Sequence, residues 1–159
     1  MNLWRVIRRE FSSVPLSADG ARAWPGRWHS TGTAVLYTAS TESLATLESF
    51  IHVTMEYRTL PFVQLRIEIP DDAAIDEFER LIPAIHELPD WRGEDTRATR
   101  ALGDAWAKDP GAGLALSVPS LLSASERNLL LRPGSPDFAR VKVVDMREFV
   151  FDRRMWKSV

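Results

Sequence analysis

A single carboxylate interrupts an apolar stripe. In the run Ser40-Thr-Glu-Ser-Leu-Ala-Thr-Leu-Glu-Ser-Phe-Ile-His-Val-Thr-Met55, read as a helix at about 100° per residue, Leu44, Leu47, Ile51 and Met55 share one side and Glu48 falls among them. A charge set among apolar side chains is costly unless something pairs with it. The helix alone leaves two outcomes open: Glu48 snorkels to solvent or meets an arginine, or it serves a site. Little else in the chain is ready-made for chemistry. Cysteine is absent, which removes thiolate nucleophiles, thiolate metal sites and disulfides together. His29, His52 and His86 are scattered without HExxH-like spacing, so no metal site is expected. Neither a GxxxxGK[ST] loop nor GxGxxG occurs, so the common nucleotide-binding loops are missing too.

The elements that must position Glu48 read as follows. Leu3 to Ile7 is a first strand, followed by a turn-rich stretch from Ser12 to Gly32. A loop of that length is usually functional. Ala34 to Thr38 is a short strand, and Ser40 or Thr41 can cap the helix that carries Glu48. Phe62 to Ile69 alternates Val63, Leu65, Ile67 and Ile69 with Gln64, Arg66 and Glu68, the pattern of a strand with one core face. Ile75 to Ile82 suggests a short helical region broken by Pro83, and Leu88 to Gly93 a loop. Thr96 can open a helix that ends before Asp109-Pro-Gly, and Leu114 to Val118 is an apolar strand. Glu126 to Leu131 and Ala139 to Val144 are further strand-like or turn-like runs. Strands and helices mix without a βαβ rhythm, which favours an α+β fold in one domain, 1–159.

Nearly half of the 159 residues are apolar, enough for one substantial core. The net charge of −2 gives no bulk basic field, so nucleic-acid binding is not expected and an anionic ligand would need a local site. The amphipathic N-terminus lacks the apolar run of a signal peptide or membrane span, and a soluble cytoplasmic protein is expected.

The stretch Gly20-Ala-Arg-Ala-Trp-Pro-Gly-Arg-Trp-His-Ser-Thr-Gly through Tyr37-Thr-Ala to Leu47-Glu48 resembles the RES domain, the toxin half of RES–Xre type II toxin–antitoxin pairs. The likeness continues through Leu88-Pro-x-x-Trp91, Gly103-Asp-Ala-Trp106, Val118-Pro-Ser120 and Asn128-Leu-Leu-Leu-Arg-Pro133, nearly the whole chain. Two places depart from the family pattern. His29 stands where the family commonly has Asn after Gly-Arg-Trp, and Ser135 where it commonly has His.

The resemblance implies an ADP-ribosyltransferase-like fold, a split or twisted central sheet with flanking helices, and consumption of NAD⁺ as a substrate, with no prosthetic group. It places site residues at Arg27, Tyr37, Glu48 and Ser120, with Ser117 and Ser123 as neighbouring alternatives to the last. Arg27 would grip the pyrophosphate through paired charge-assisted hydrogen bonds, with Arg22 and Arg5 as helpers. Tyr37 would stack on the flat, cationic nicotinamide, worth about 0.5–2 kcal/mol. Glu48 would stabilise the ribosyl cation that forms as the glycosidic bond breaks. Ser120 would bond substrate or hold Glu48.

Three functions follow from the resemblance: NAD⁺ depletion by glycohydrolysis or phosphorolysis, protein ADP-ribosylation at the same site, or a non-catalytic partner-binding module. An Xre-like antitoxin blocking the site and a homodimer within the complex are implied partners. Read without the resemblance, Arg27 is a solvated turn residue and Tyr37 a core aromatic. The six tryptophans read as packing residues rather than stacking platforms, and His29 as a loop hydrogen-bonder.

Overall fold

The computed structural model describes residues 1–54, 56–81 and 91–156. Met55, Ile82, Pro83, His86 and the Leu88-Pro part of one family motif therefore lie outside the described residues.

Seven strands form one mixed sheet: β1 (Asn2–Arg8), β2 (Leu36–Ala39), β3 (Phe62–Glu68), β4 (Ile75–Glu77), β5 (Ala115–Pro119), β6 (Arg127–Leu131) and β7 (Lys142–Phe149), in the order β4-β5-β6-β2-β1-β3-β7. Every pairing is antiparallel except β4 with β5. Four helices accompany it among the described residues: α1 (Asp19–Ala23), α2 (Glu42–Phe50), α3 (Phe78–Leu81) and α4 (Arg97–Lys108).

The sheet opens at its centre. β1 runs beside β3 from Asn2↔Glu68 to Arg8↔Phe62, but meets β2 only at Trp4↔Ala39. Beyond that pair the two strands part, and the gap becomes a cleft. Strand alternation sorts the rest. Leu3, Leu36, Leu65, Ile67, Leu129 and Leu131 form a core on one face. On the other, Trp28, Phe78, Trp106, Leu116, Val118 and Leu130 pack together, and α2 packs Leu44 and Ala45 against Val6, Ala39 and Phe62.

Several expected elements change on folding. The Ser12–Gly32 stretch contains α1. The helical region foreseen at 75–82 begins as β4, which pairs with β5 before α3 starts. The strand-like or turn-like run at 139–144 is the junction of the two: a 3₁₀ turn, Pro136–Arg140, leads into β7, an edge strand whose largely exposed residues show no apolar alternation. The stripe on α2 is rotated as well. Leu44 is fully buried, whereas Leu47 and Ile51 are 41% and 55% exposed. The helix buries Leu44 and Ala45, and Glu48 one turn on lies between their two directions, so the carboxylate sits nearer the middle of the packed face than the apolar stripe implied.

Candidate active site

The cleft between β1 and β2 has a volume of about 830 Å³ and is walled by β1, β2, α2 and the loop Trp24–His29. That size suits a small-molecule ligand. Glu48, Tyr37, Arg27 and Arg5 all line it, and Arg22 does not: it stands exposed on α1.

Glu48 is held by its far oxygen. Thr41 caps α2 by accepting the Leu44 N–H at 3.1 Å, and two turns later Glu48 faces the sheet. Its Oε1 accepts from Ser120 Oγ at 2.8 Å and from Asn128 Nδ2 at 2.6 Å. Ser120 Oγ in turn accepts the Leu122 N–H at 2.9 Å, which fixes the hydroxyl so that its hydrogen goes to the carboxylate. Among the described residues, Oε2 takes no hydrogen bond. A carboxylate in the last turn of a helix is disfavoured by the helix dipole, and two donors on one oxygen offset that cost. The other serines are occupied elsewhere: Ser117 Oγ accepts from Arg127 Nε at 2.7 Å, and Ser123 bonds Glu126.

Tyr37 is committed on its hydroxyl side. The oxygen accepts the Trp28 N–H at 3.3 Å and lies 2.9 Å from His29 Nδ1. Burial pushes the phenol well above its usual range, with the Trp28 N–H opposing the shift only in part. It therefore stays a neutral phenol whose ring borders the cleft.

The arginines divide unexpectedly. Arg27 spends Nη1 on the carbonyls of Trp91 (2.8 Å) and Gly93 (2.9 Å), and its own carbonyl accepts from Thr99 Oγ1 at 2.6 Å. It ties two loops together as well as facing the cleft. Arg5 is different: its Nη1 is out of water and without a partner, and burial lowers the guanidinium to about 10. Leaving that donor unsatisfied is costly. The residue as a whole is half-buried and lines the cleft, so an anionic ligand there could meet the rest of its guanidinium.

α4 supports this wall from behind. Gly103 lies so close to Trp28 that an added Cβ would come within 1.8 Å of the Trp28 carbonyl oxygen. Asp104 accepts from the Ser30 N–H (2.8 Å) and Thr33 Oγ1 (2.7 Å), and Arg100 Nε donates to Gly26 O at 2.8 Å. The Gly103-Asp-Ala-Trp106 motif is thus a brace for the Gly26–Thr33 loop. Of the tryptophans, Trp28 and Trp106 are buried as expected, but Trp24 is 78% exposed on the lip of the cleft, so packing does not account for it. Asn128, which donates to Glu48, is not among the site residues expected from the sequence, although its signal is there: an amide ahead of three leucines, inside the Asn128–Pro133 motif.

Known proteins resemble this chain along nearly its whole length. The family model described as RES domain matches residues 2–152. A relative named Prs ADP-ribosylating toxin, from Sphingobium sp. (strain YBL2), is 33% identical over 158 residues, spanning 97% of this chain and 96% of the relative. Toxin Res of Photorhabdus laumondii subsp. laumondii is 32% identical over 161 residues, 99% of each. Among solved structures, a chain of the M. tuberculosis MbcT–MbcA toxin–antitoxin complex superposes with a TM-score of 0.64 at 16% identity, covering 94% of this chain and 84% of that one. That likeness speaks to the fold alone.

Proposed function

The chain belongs to the RES domain family, and from that premise we propose that it is the toxin of a toxin–antitoxin pair, an enzyme that breaks the nicotinamide–ribose bond of NAD⁺. The observation that carries the reading is the Glu48 carboxylate, fixed by Ser120 and Asn128 in a cleft that Arg5 and Arg27 also line. Anion recognition and cation stabilisation are the two electrostatic demands NAD⁺ makes of a site.

In this mechanism the pyrophosphate is bound by Arg5 and by the remaining guanidinium donors of Arg27. The nicotinamide lies on the Tyr37 ring. The C1′–N bond breaks with its electron pair passing to the ring nitrogen, so nicotinamide leaves neutral and needs no general acid. Positive charge then develops at C1′ and O4′, and Glu48 stabilises it more than it stabilises the ground state. A nucleophile adds to C1′ and its proton passes to solvent. Water yields ADP-ribose and phosphate yields its phosphorylated counterpart, both of which deplete NAD⁺. A protein side chain yields an ADP-ribosylated target, and the name of the Sphingobium relative favours this second branch. An Xre-like antitoxin would silence the enzyme by covering the cleft, which fits the toxin names of the relatives.

The test is incubation of purified protein with NAD⁺, with and without phosphate and with a cell lysate as acceptor. Nicotinamide release without lysate supports depletion. Release only with lysate, with label passing to protein, supports transfer. No release in any arm leaves the partner-binding reading in possession of the fold.

A further inference from the structure

His29 is 2% exposed, and both of its ring nitrogens are engaged. Nε2 lies 2.9 Å from the Ala21 carbonyl and 3.1 Å from the Trp24 carbonyl. Carbonyls only accept, so Nε2 carries the ring proton. In the neutral ring Nδ1 is then a lone pair, and the Tyr37 O–H, 2.9 Å away, donates to it. The phenol oxygen already accepts from Trp28, so the Tyr37 hydroxyl is spent on both sides within the protein.

The space around this pair is as specific as its bonds. A Cβ on Gly26 would come within 2.5 Å of the Tyr37 oxygen and 2.9 Å of His29 Cε1, so residue 26 has to be glycine for the two rings to meet. The ring centroids lie 5.4 Å apart at an interplanar angle of 56°. Through Nε2 the same imidazole holds the carbonyl of Trp24, the exposed residue on the lip.

We propose that His29 is a positioning residue that acts through Tyr37: it takes the phenol hydrogen and thereby fixes the ring as a flat, neutral face for the departing nicotinamide. The role rests on the NAD⁺ reading above. It makes the Tyr37 hydroxyl a structural group, with no proton to give to substrate.

Two substitutions separate this role from mere support of the loop. Asn places an amide oxygen where Nδ1 stands but is too short to reach the Ala21 and Trp24 carbonyls. Gln places an amide N–H near the Nε2 position but has no acceptor at Nδ1. His29→Gln should raise KM for NAD⁺ about fivefold or more while kcat stays within about twofold. His29→Asn should keep KM within about twofold. A loop-supporting role gives the reverse order, with Asn harmful and Gln silent, and that order overturns the proposal.

A second readout does not depend on turnover. The chain has two tyrosines, Tyr37 and the exposed Tyr57, so ring-labelled tyrosine gives two NMR signals. At neutral pH the buried signal should shift in His29→Gln, where the hydrogen bond to the phenol is lost, and hold its position in His29→Asn. If wild-type protein releases no nicotinamide, the NAD⁺ reading and the affinity role fail together, while these signals still report whether the tie exists. A buried signal that is unmoved in His29→Gln removes the tie itself.

Discussion

Glu48 and Asn128 stand 80 positions apart, and the amide of one donates to the carboxylate of the other at 2.6 Å. Strand β2 pairs with β6, Ala39 opposite Asn128, and leads within three residues into α2, which brings helix and strand together there. The consequence is directional. Because Ser120 and Asn128 both occupy Oε1, the remaining oxygen is left, among the described residues, without a donor in a residue that lines the cleft.

Glu48→Gln should abolish turnover with little change in fold. The amide can still offer an oxygen to Ser120 and Asn128, but it carries no negative charge to oppose the ribosyl cation. A fall in kcat of at least about a hundredfold is expected, with thermal denaturation close to wild type. Turnover near the wild-type rate would remove Glu48 from the mechanism.

Asn128 can be tested by charge. Asn128→Asp sets a second carboxylate against Glu48, and two such groups cannot both ionise without cost. The pair would hold a proton to higher pH than a lone carboxylate, so activity should be lost at neutral pH and partly regained in alkali. Asn128→Ala removes a donor without adding charge, and should cost about tenfold in kcat with no displaced pH profile. Matching profiles for the two variants would argue that the amide only fills space.

Much of this arrangement was legible in the sequence, and the places where it was not have physical causes. The alternation of Val63, Leu65 and Ile67 reports β3 because that strand lies inside the sheet, between β1 and β7, and packs those three side chains into the core. Of β7 the sequence marks only the start, Lys142 to Val144, because an edge strand has no need of a buried face. The stripe on α2 misled because the cleft opens beside the helix, leaving Leu47 and Ile51 without a surface to cover. Arg27, Tyr37 and Glu48 were found through motif order, and all three line one cleft. The weight given to Arg27 over Arg5 reflected the conspicuous Gly-Arg-Trp turn. Only geometry could reveal that Arg5, unremarkable in an alternating strand, has a buried nitrogen with nothing to bond.

Arg5 should therefore trade stability for binding. Its guanidinium is lowered from 12.5 to about 10 by burial, so folding carries the full penalty below pH 10, and the penalty fades as pH rises from there toward the unfolded value. Replacing it with Met removes the penalty at neutral pH and keeps the volume. Arg5→Met should melt about 3 °C higher than wild type, yet bind NAD⁺ at least about tenfold more weakly by calorimetry. Lower stability with unchanged affinity would mean that Arg5 has a partner in the folded protein and no role toward an anion.

Gly103 links the brace to the site. A methyl group there would overlap the Trp28 carbonyl oxygen at 1.8 Å, backbone against backbone, where no side chain can turn aside. Gly103→Ala must push α4 away from the Gly26–Thr33 loop, loosening the Asp104 bonds to Ser30 and Thr33 and the Arg100 bond to Gly26. A loss of about 2 kcal/mol or more is expected by denaturant unfolding, with KM for NAD⁺ rising in whatever protein still folds. Gly20→Ala is the control. It lies in α1 with nothing within 4 Å of the added carbon, and alanine there should be neutral or slightly stabilising. Equal effects from the two alanines would show that the close approach of α4 to Trp28 does not hold the loop in place.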